Sequence, residues 1–133
     1  MPLLGWTTEQ IYAVSRRAHS LHEQGRFADA AQIFAGLRTL DPGNLYLQEA
    51  FASSLLAAGK PAEALAALDE ALPRAARSGP DSARLRTRRA AALLDLGRRE
   101  EALAEVARLR SAPANPLAAV VPQLELRLRA FRG

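Results

Sequence analysis

The chain has 133 residues, the size of one domain, and its composition excludes several classes at once: only 5% is aromatic, while Ala, Leu, Arg and Glu dominate, which favours helix over sheet. With no cysteine there can be no disulfide staple, thiolate metal site or cysteine nucleophile, as suits a reducing cytoplasm. The net charge of +4 gathers in the second half, where residues 67–133 carry 13 basic and 8 acidic groups against 5 and 6 in residues 1–66; unpatterned basicity of this kind is a weak warrant for nucleic acid.

In chain order, residues 1–6 are far shorter than the apolar stretch of a signal peptide and carry no basic leader, and no window reaches 18 uninterrupted apolar residues. We therefore expect a cytoplasmic protein without membrane insertion. Thr7 predicts the cap of a first helix, with Gln10 completing a capping box and Trp6 packing on Ile11 as a hydrophobic staple. Gly25 ends that helix, because glycine accepts the left-handed backbone that side chains resist. A second helix then runs to the turn Asp41-Pro42-Gly43-Asn44. The next hairpin turns at Gly59, tolerates Pro61 in a first helical turn and is interrupted by Pro73. Four extra residues around Arg77, Ser78, Gly79 and Pro80 lengthen the loop into a third hairpin, which turns at Gly97. Asn115 and Pro116 predict the cap and first turn of a final helix over 116–132, with Pro122 as its kink point.

These hairpins repeat. Gly25, Gly59 and Gly97 stand 34 and 38 residues apart, each followed by a basic residue, two variable positions, an acid and an alanine: Ala30, Ala64 and Ala102. Seven residues before each glycine stand Ala18, Ala52 and Ala90, and four before it Leu21, Leu55 and Leu93. Nine after it come Phe34, Leu68 and Val106, and twelve after it Leu37, Ala71 and Leu109. The small residues let two helices approach closely, and the large ones fill what remains.

A unit of this length and pattern resembles the tetratricopeptide repeat, with repeats at approximately 11–44, 45–78 and 83–113. The resemblance implies an all-α fold over residues 1–133, three hairpins stacked as a right-handed superhelix and closed by the helix at 116–132. Within that family the chain resembles the class II type III secretion chaperones, which hold translocator subunits. The likeness is strongest from His22 to Asn44, where Gly25, Arg26, Phe27 and Ala30 are followed by Phe34, Leu37, Leu40 and Asp41. It implies a groove that receives an extended segment of a secreted client. Tyr12 and Tyr46 agree with the aromatic lining of that class, whereas His19 and His22 stand where further aromatic rings are expected. A generic cytoplasmic scaffold using the same groove is the alternative, and a homodimer is left open.

Stacked hairpins curve with the leading helix of each pair inside. The inward positions are Tyr12, Ser15, Arg16, His19, His22 and Glu23 in the first repeat and Tyr46, Glu49, Ala50, Ser53 and Leu56 in the second. The third contributes Arg84, Thr87, Arg88, Ala91, Leu94 and Asp95. Such a mixture suits a peptide with apolar anchors better than a small polar substrate. His19, His22 and Glu23 share a helix face but match no zinc-protease order and have no evident third ligand, so no metal is expected. No phosphate loop, nucleophile elbow or paired carboxylates occur, so we expect no catalytic residues, no cofactor and no enzyme. The run Arg84, Arg86, Arg88 and Arg89 is the best nucleic-acid candidate. On a helix it spreads over more than one face without stacking aromatics nearby, so an acid-paired or solvated face is the stronger expectation than a nucleic-acid adaptor.

Overall fold

Helix boundaries in the computed structural model, which describes residues 5–75 and 79–111, follow from local hydrogen bonding. There are six helices among these residues: α1 (Thr8–Glu23), α2 (Phe27–Leu40), α3 (Leu45–Ala57), α4 (Pro61–Ala71), α5 (Pro80–Asp95) and α6 (Arg99–Ser111). The predicted capping box forms in both directions. The Gln10 amide donates to Thr7 Oγ1 at 3.0 Å, and the Thr7 amide donates to Gln10 Oε1 at 2.8 Å. Ile11 is buried as a staple requires, while Trp6 keeps 39% of its surface exposed. Asn44 caps α3 by accepting from the Leu47 amide at 3.3 Å. Pro61 and Pro80 occupy first turns, where a missing N–H leaves no bond unmet. Pro73 breaks the fourth helix as expected: α4 stops at Ala71, and a 3₁₀ turn over Leu72–Arg74 follows.

The leading helices end alike. Gly25, Gly59 and Gly97 take φ of 83°, 78° and 77°. This geometry lets the Arg26 amide donate to the Leu21 carbonyl at 2.9 Å and the Gly25 amide to His22 at 3.0 Å, a Schellman turn. Lys60 and Gly59 repeat these bonds to Leu55 and Leu56, as do Arg98 and Gly97 to Leu93 and Leu94. The same turn thus reverses the chain three times.

Within each hairpin the helices meet at alanine. Ala18, Ala52 and Ala90 on the leading helices and Ala30, Ala64 and Ala102 on the trailing ones are all 0% exposed. The core is a succession of clusters, each tying a hairpin to its neighbour. Ile11, Phe34, Leu37 and Leu47 join α1, α2 and α3; Leu55, Leu68 and Leu85 carry the core on through α4 to α5; Leu65, Leu93, Val106 and Leu109 close α4, α5 and α6. Every helix packs on the next in sequence, and α3 also packs on α5, so these two leading helices stand side by side. Burying a leucine such as Leu47 or Leu85 contributes roughly 1.5–3 kcal/mol, which is how neighbouring hairpins hold one another.

One expectation shifts. The third hairpin opens at Pro80, ahead of the expected 83, because Gly79 in extended backbone serves as cap and proline starts the helix. The helix expected over 116–132, with Asn115, Pro116 and Pro122, lies outside the described residues, as do Arg77 and Ser78 of the lengthened loop. Since Ala30 and Ala64 have no free surface, Ala30→Leu or Ala64→Leu should overpack its hairpin and lower stability by about 1–3 kcal/mol. Thermal unfolding of the two variants against the parent chain measures this, and an unchanged Tm would mean that the helices do not meet there.

Candidate functional site

Side chains from α1, α3 and α5 converge on one surface, joined by polar contacts between these helices. His19 Nε2 shares a hydrogen bond with the Tyr46 hydroxyl, and His22 Nδ1 lies 3.1 Å from Ser54 Oγ, so two bonds tie α1 to α3. On the other side, Arg88 Nε donates to Glu49 Oε2 at 3.2 Å, and Arg84 Nε lies 3.9 Å from Glu49 Oε1. Glu49 therefore joins α5 to α3. Arg84 also holds Asp81 at 2.5 Å.

Between these contacts lies a cavity of about 220 Å³ lined by His19, His22, Phe34, Tyr46, Glu49, Ala50, Ser53, Ser54 and Arg88. Its floor is apolar, since Phe34 and Ala50 belong to the core. The His19 ring meets Phe34 edge-on at 5.2 Å, and the His22 ring meets Phe27 in the same manner at 4.9 Å. Tyr12 extends the surface beyond the cavity; it is 60% exposed, and the Arg16 guanidinium lies 5.2 Å from its ring centroid.

The structure thus gathers His19, His22, Tyr46, Glu49, Ala50, Ser53 and Arg88 at one cavity, with Arg84, Tyr12 and Arg16 close by. It does not present Ser15 or Thr87. Ser15 sits between Ile11 and Ala18 on the buried stripe of α1, and Thr87 holds the same position between Ala83 and Ala90 in α5, spending its hydroxyl on the Ala83 carbonyl at 2.8 Å. Leu56 is half-buried and Leu94 fully buried, both against the core. Ala91 is half-buried, while Glu23 and Asp95 are exposed. Phe34 and Ser54 escaped the sequence-based assignment. Phe34 comes from a trailing helix and reaches the floor between the leading ones. Ser54 follows Ala50 by four residues and shares its face, a spacing that could have marked it.

The arginine run divides between two faces. Arg84 and Arg88 turn to Glu49, whereas Arg86 and Arg89 turn to the opposite face, donating at 2.9 and 2.8 Å to the two oxygens of Glu105, a buried carboxylate. Arg89 also donates to Asp69 at 2.8 Å. All four have a carboxylate partner, as the sequence pattern leads one to expect. Among the described residues no three potential ligands of the His, Cys, Asp and Glu kind gather, and no helix is long and apolar enough to cross a membrane.

Burial lowers the His22 pKa below the ordinary histidine value, and the charges of His19 and Arg88 lower it further against an opposing effect of Glu23. Tyr46 is raised by burial first and then by Glu49.

Repeated hairpins of this geometry define a class. A model of the tetratricopeptide repeat matches residues 21–87, and the chain belongs to that family. Two solved structures share the fold. The type III secretion chaperone SycD of Yersinia enterocolitica, solved in complex with a peptide of the translocator YopD, has a TM-score of 0.79 at 18% identity, covering 95% of each chain. The first TPR domain of the human RPAP3 protein has a TM-score of 0.73 at 23% identity, covering 91% of this chain and 94% of the other. Comparison with curated proteins finds no match.

Because His22 has a lower pKa folded than unfolded, the unfolded chain binds the extra proton more readily. Its contribution to stability is complete above the unfolded value of about 6.5 and is lost as pH falls from there through the lower folded pKa. His22→Gln should therefore flatten the dependence of Tm on pH between about 5 and 7 relative to the parent chain. Parallel curves for the two proteins would exclude a buried neutral imidazole.

Proposed function

We propose that the chain is a protein-binding module that holds an extended segment of a partner along the surface of α1, α3 and α5. The observation that carries this is the convergence of three successive leading helices on one cavity, floored by Phe34 and Ala50 and rimmed by Tyr46, Glu49, Ser53 and Arg88. An apolar floor takes a side chain, while the rim offers donors and acceptors to the partner's backbone. Tyr12 and Tyr46 supply exposed aromatic area, the kind of surface that concentrates binding energy.

The finer assignment is a cytoplasmic chaperone for a client of the type III secretion translocator kind. It is supported by the fold shared with SycD, whose structure contains a translocator peptide, and by the motif resemblance from His22 to Asn44. The RPAP3 domain shares the fold to a similar degree and supports the alternative of a general scaffold. Mass spectrometry of proteins that co-purify from the native host separates the two: a membrane-inserting secreted client favours the chaperone, an unrelated cytoplasmic partner the scaffold.

Tyr12→Ala, His19→Ala and Tyr46→Ala should each weaken partner binding by about 1–2 kcal/mol while leaving far-UV circular dichroism unchanged. Titration calorimetry reads the loss, and parent-like affinity in all three variants would remove the groove as the binding surface.

A further inference from the structure

Two imidazoles stand beside the apolar floor of the cavity, and every carboxylate close to them is already engaged or exposed. On α1, His19 and His22 have Arg16 and Glu23 as charged neighbours, and both of these are exposed. α2 faces them with Phe27 and Phe34, which carry no charge. α3 brings Tyr46 and Glu49, and the carboxylate of Glu49 is shared between Arg88 and Arg84 of α5. A proton added to either ring therefore places a new cation near Arg88 with no uncommitted carboxylate inside the cavity.

We propose that the cavity seats an uncharged side chain of the partner and that protonation at His22, which lines the cavity beside His19, releases it. This rests on the groove being the binding surface. A cavity of about 220 Å³ has room for one large side chain. Seating it excludes water from the imidazoles, and loss of hydration penalises the charged form. The occupied cavity thus favours neutral rings, and by linkage the protonated chain binds its partner less well. An acidic side chain would do the reverse, drawing protons onto the rings. The apolar floor of Phe34 and Ala50 favours an uncharged occupant instead, and Arg88, the guanidinium at the rim, is already paired with Glu49 and so is not free to receive an acid.

The probe is a peptide selected from a random library for binding to the full chain at about pH 8. Its affinity is measured by calorimetry at about pH 8 and pH 5.5, on the parent chain and on a His19→Gln, His22→Gln variant. The expected result is a loss of about tenfold on acidification for the parent, the factor that corresponds to one pKa unit of linkage, and less than about twofold for the variant. Histidine ring NMR gives a readout that needs no variant: the bound peptide should shift the His22 titration to lower pH. An unmoved titration, or equal affinity at both pH values, overturns proton release. Tighter binding in acid overturns the uncharged occupant. Ser53→Trp, which fills the cavity, separates the two levels. A peptide that still binds this variant overturns the groove and this proposal together, whereas one that is blocked by it yet held equally at both pH values overturns the proton step alone.

Discussion

Six alanines with no exposed surface set the distance between the helices of each hairpin, and the rest of the architecture depends on that approach. Ala18 and Ala30 serve the first hairpin, Ala52 and Ala64 the second, and Ala90 and Ala102 the third. When two helices meet at methyl groups, their larger neighbours Phe34, Leu68 and Val106 are buried along the flanks. Each hairpin still has an uncovered apolar side. Leu47 of α3 covers the first and Leu85 of α5 covers the second, so stacking completes a core that no single hairpin possesses. The groove is a by-product of this order, because a leading helix packed beside the next leading helix must share a surface with it.

The hairpins were legible because their determinants are local. A glycine at the turn, a threonine cap and a proline in a first turn each act within four residues, and Gly25, Gly59, Gly97, Thr7 and Pro61 fall where the sequence places them. The burial pattern was legible for the same reason, as it follows from fixed distances to Gly25, Gly59 and Gly97. The groove was only partly so. Backward projection from the glycines located His19, His22, Tyr46, Glu49 and Arg88, but helical periodicity leaves the edge between the buried stripe and the open face undecided to within one residue. Ser15 and Thr87 fell on the wrong side of that edge, since a small polar residue is tolerated in a stripe when its hydroxyl finds a backbone carbonyl, as Thr87 does. Phe34 is core by its spacing and also floors the cavity, a second role that depends on how two leading helices are spaced across a trailing one. Sequence spacing within one hairpin carries no such information.

The charges show a similar division between local and distant causes. The arginine density of the C-terminal half reads as a basic patch when counted, yet Arg84, Arg86, Arg88 and Arg89 each meet a carboxylate on the same or another helix. Glu105 is one such carboxylate. It is buried, Arg86 and Arg89 donate to its opposite oxygens and Arg108 lies 3.7 Å away; removing Arg86 or Arg89 would cost this buried carboxylate a charge-assisted hydrogen bond. Glu49 plays the corresponding part at the groove, where it is half-buried and serves two guanidiniums.

The two arginine pairs have a mechanical consequence for α5. One face of this helix is fastened to α3 through Glu49, and another face to α6 through Glu105 and to α4 through Asp69. A cylinder gripped on two sides cannot roll about its axis without breaking a contact on each. Burial of Leu85, Leu93 and Leu94 already opposes such rolling, since it would carry apolar area into water, and the ion pairs add a directional contact on each side. The ion pairs act as keys in a shaft: they fix the rotational setting of the helix, and with it the direction in which the third repeat faces the groove.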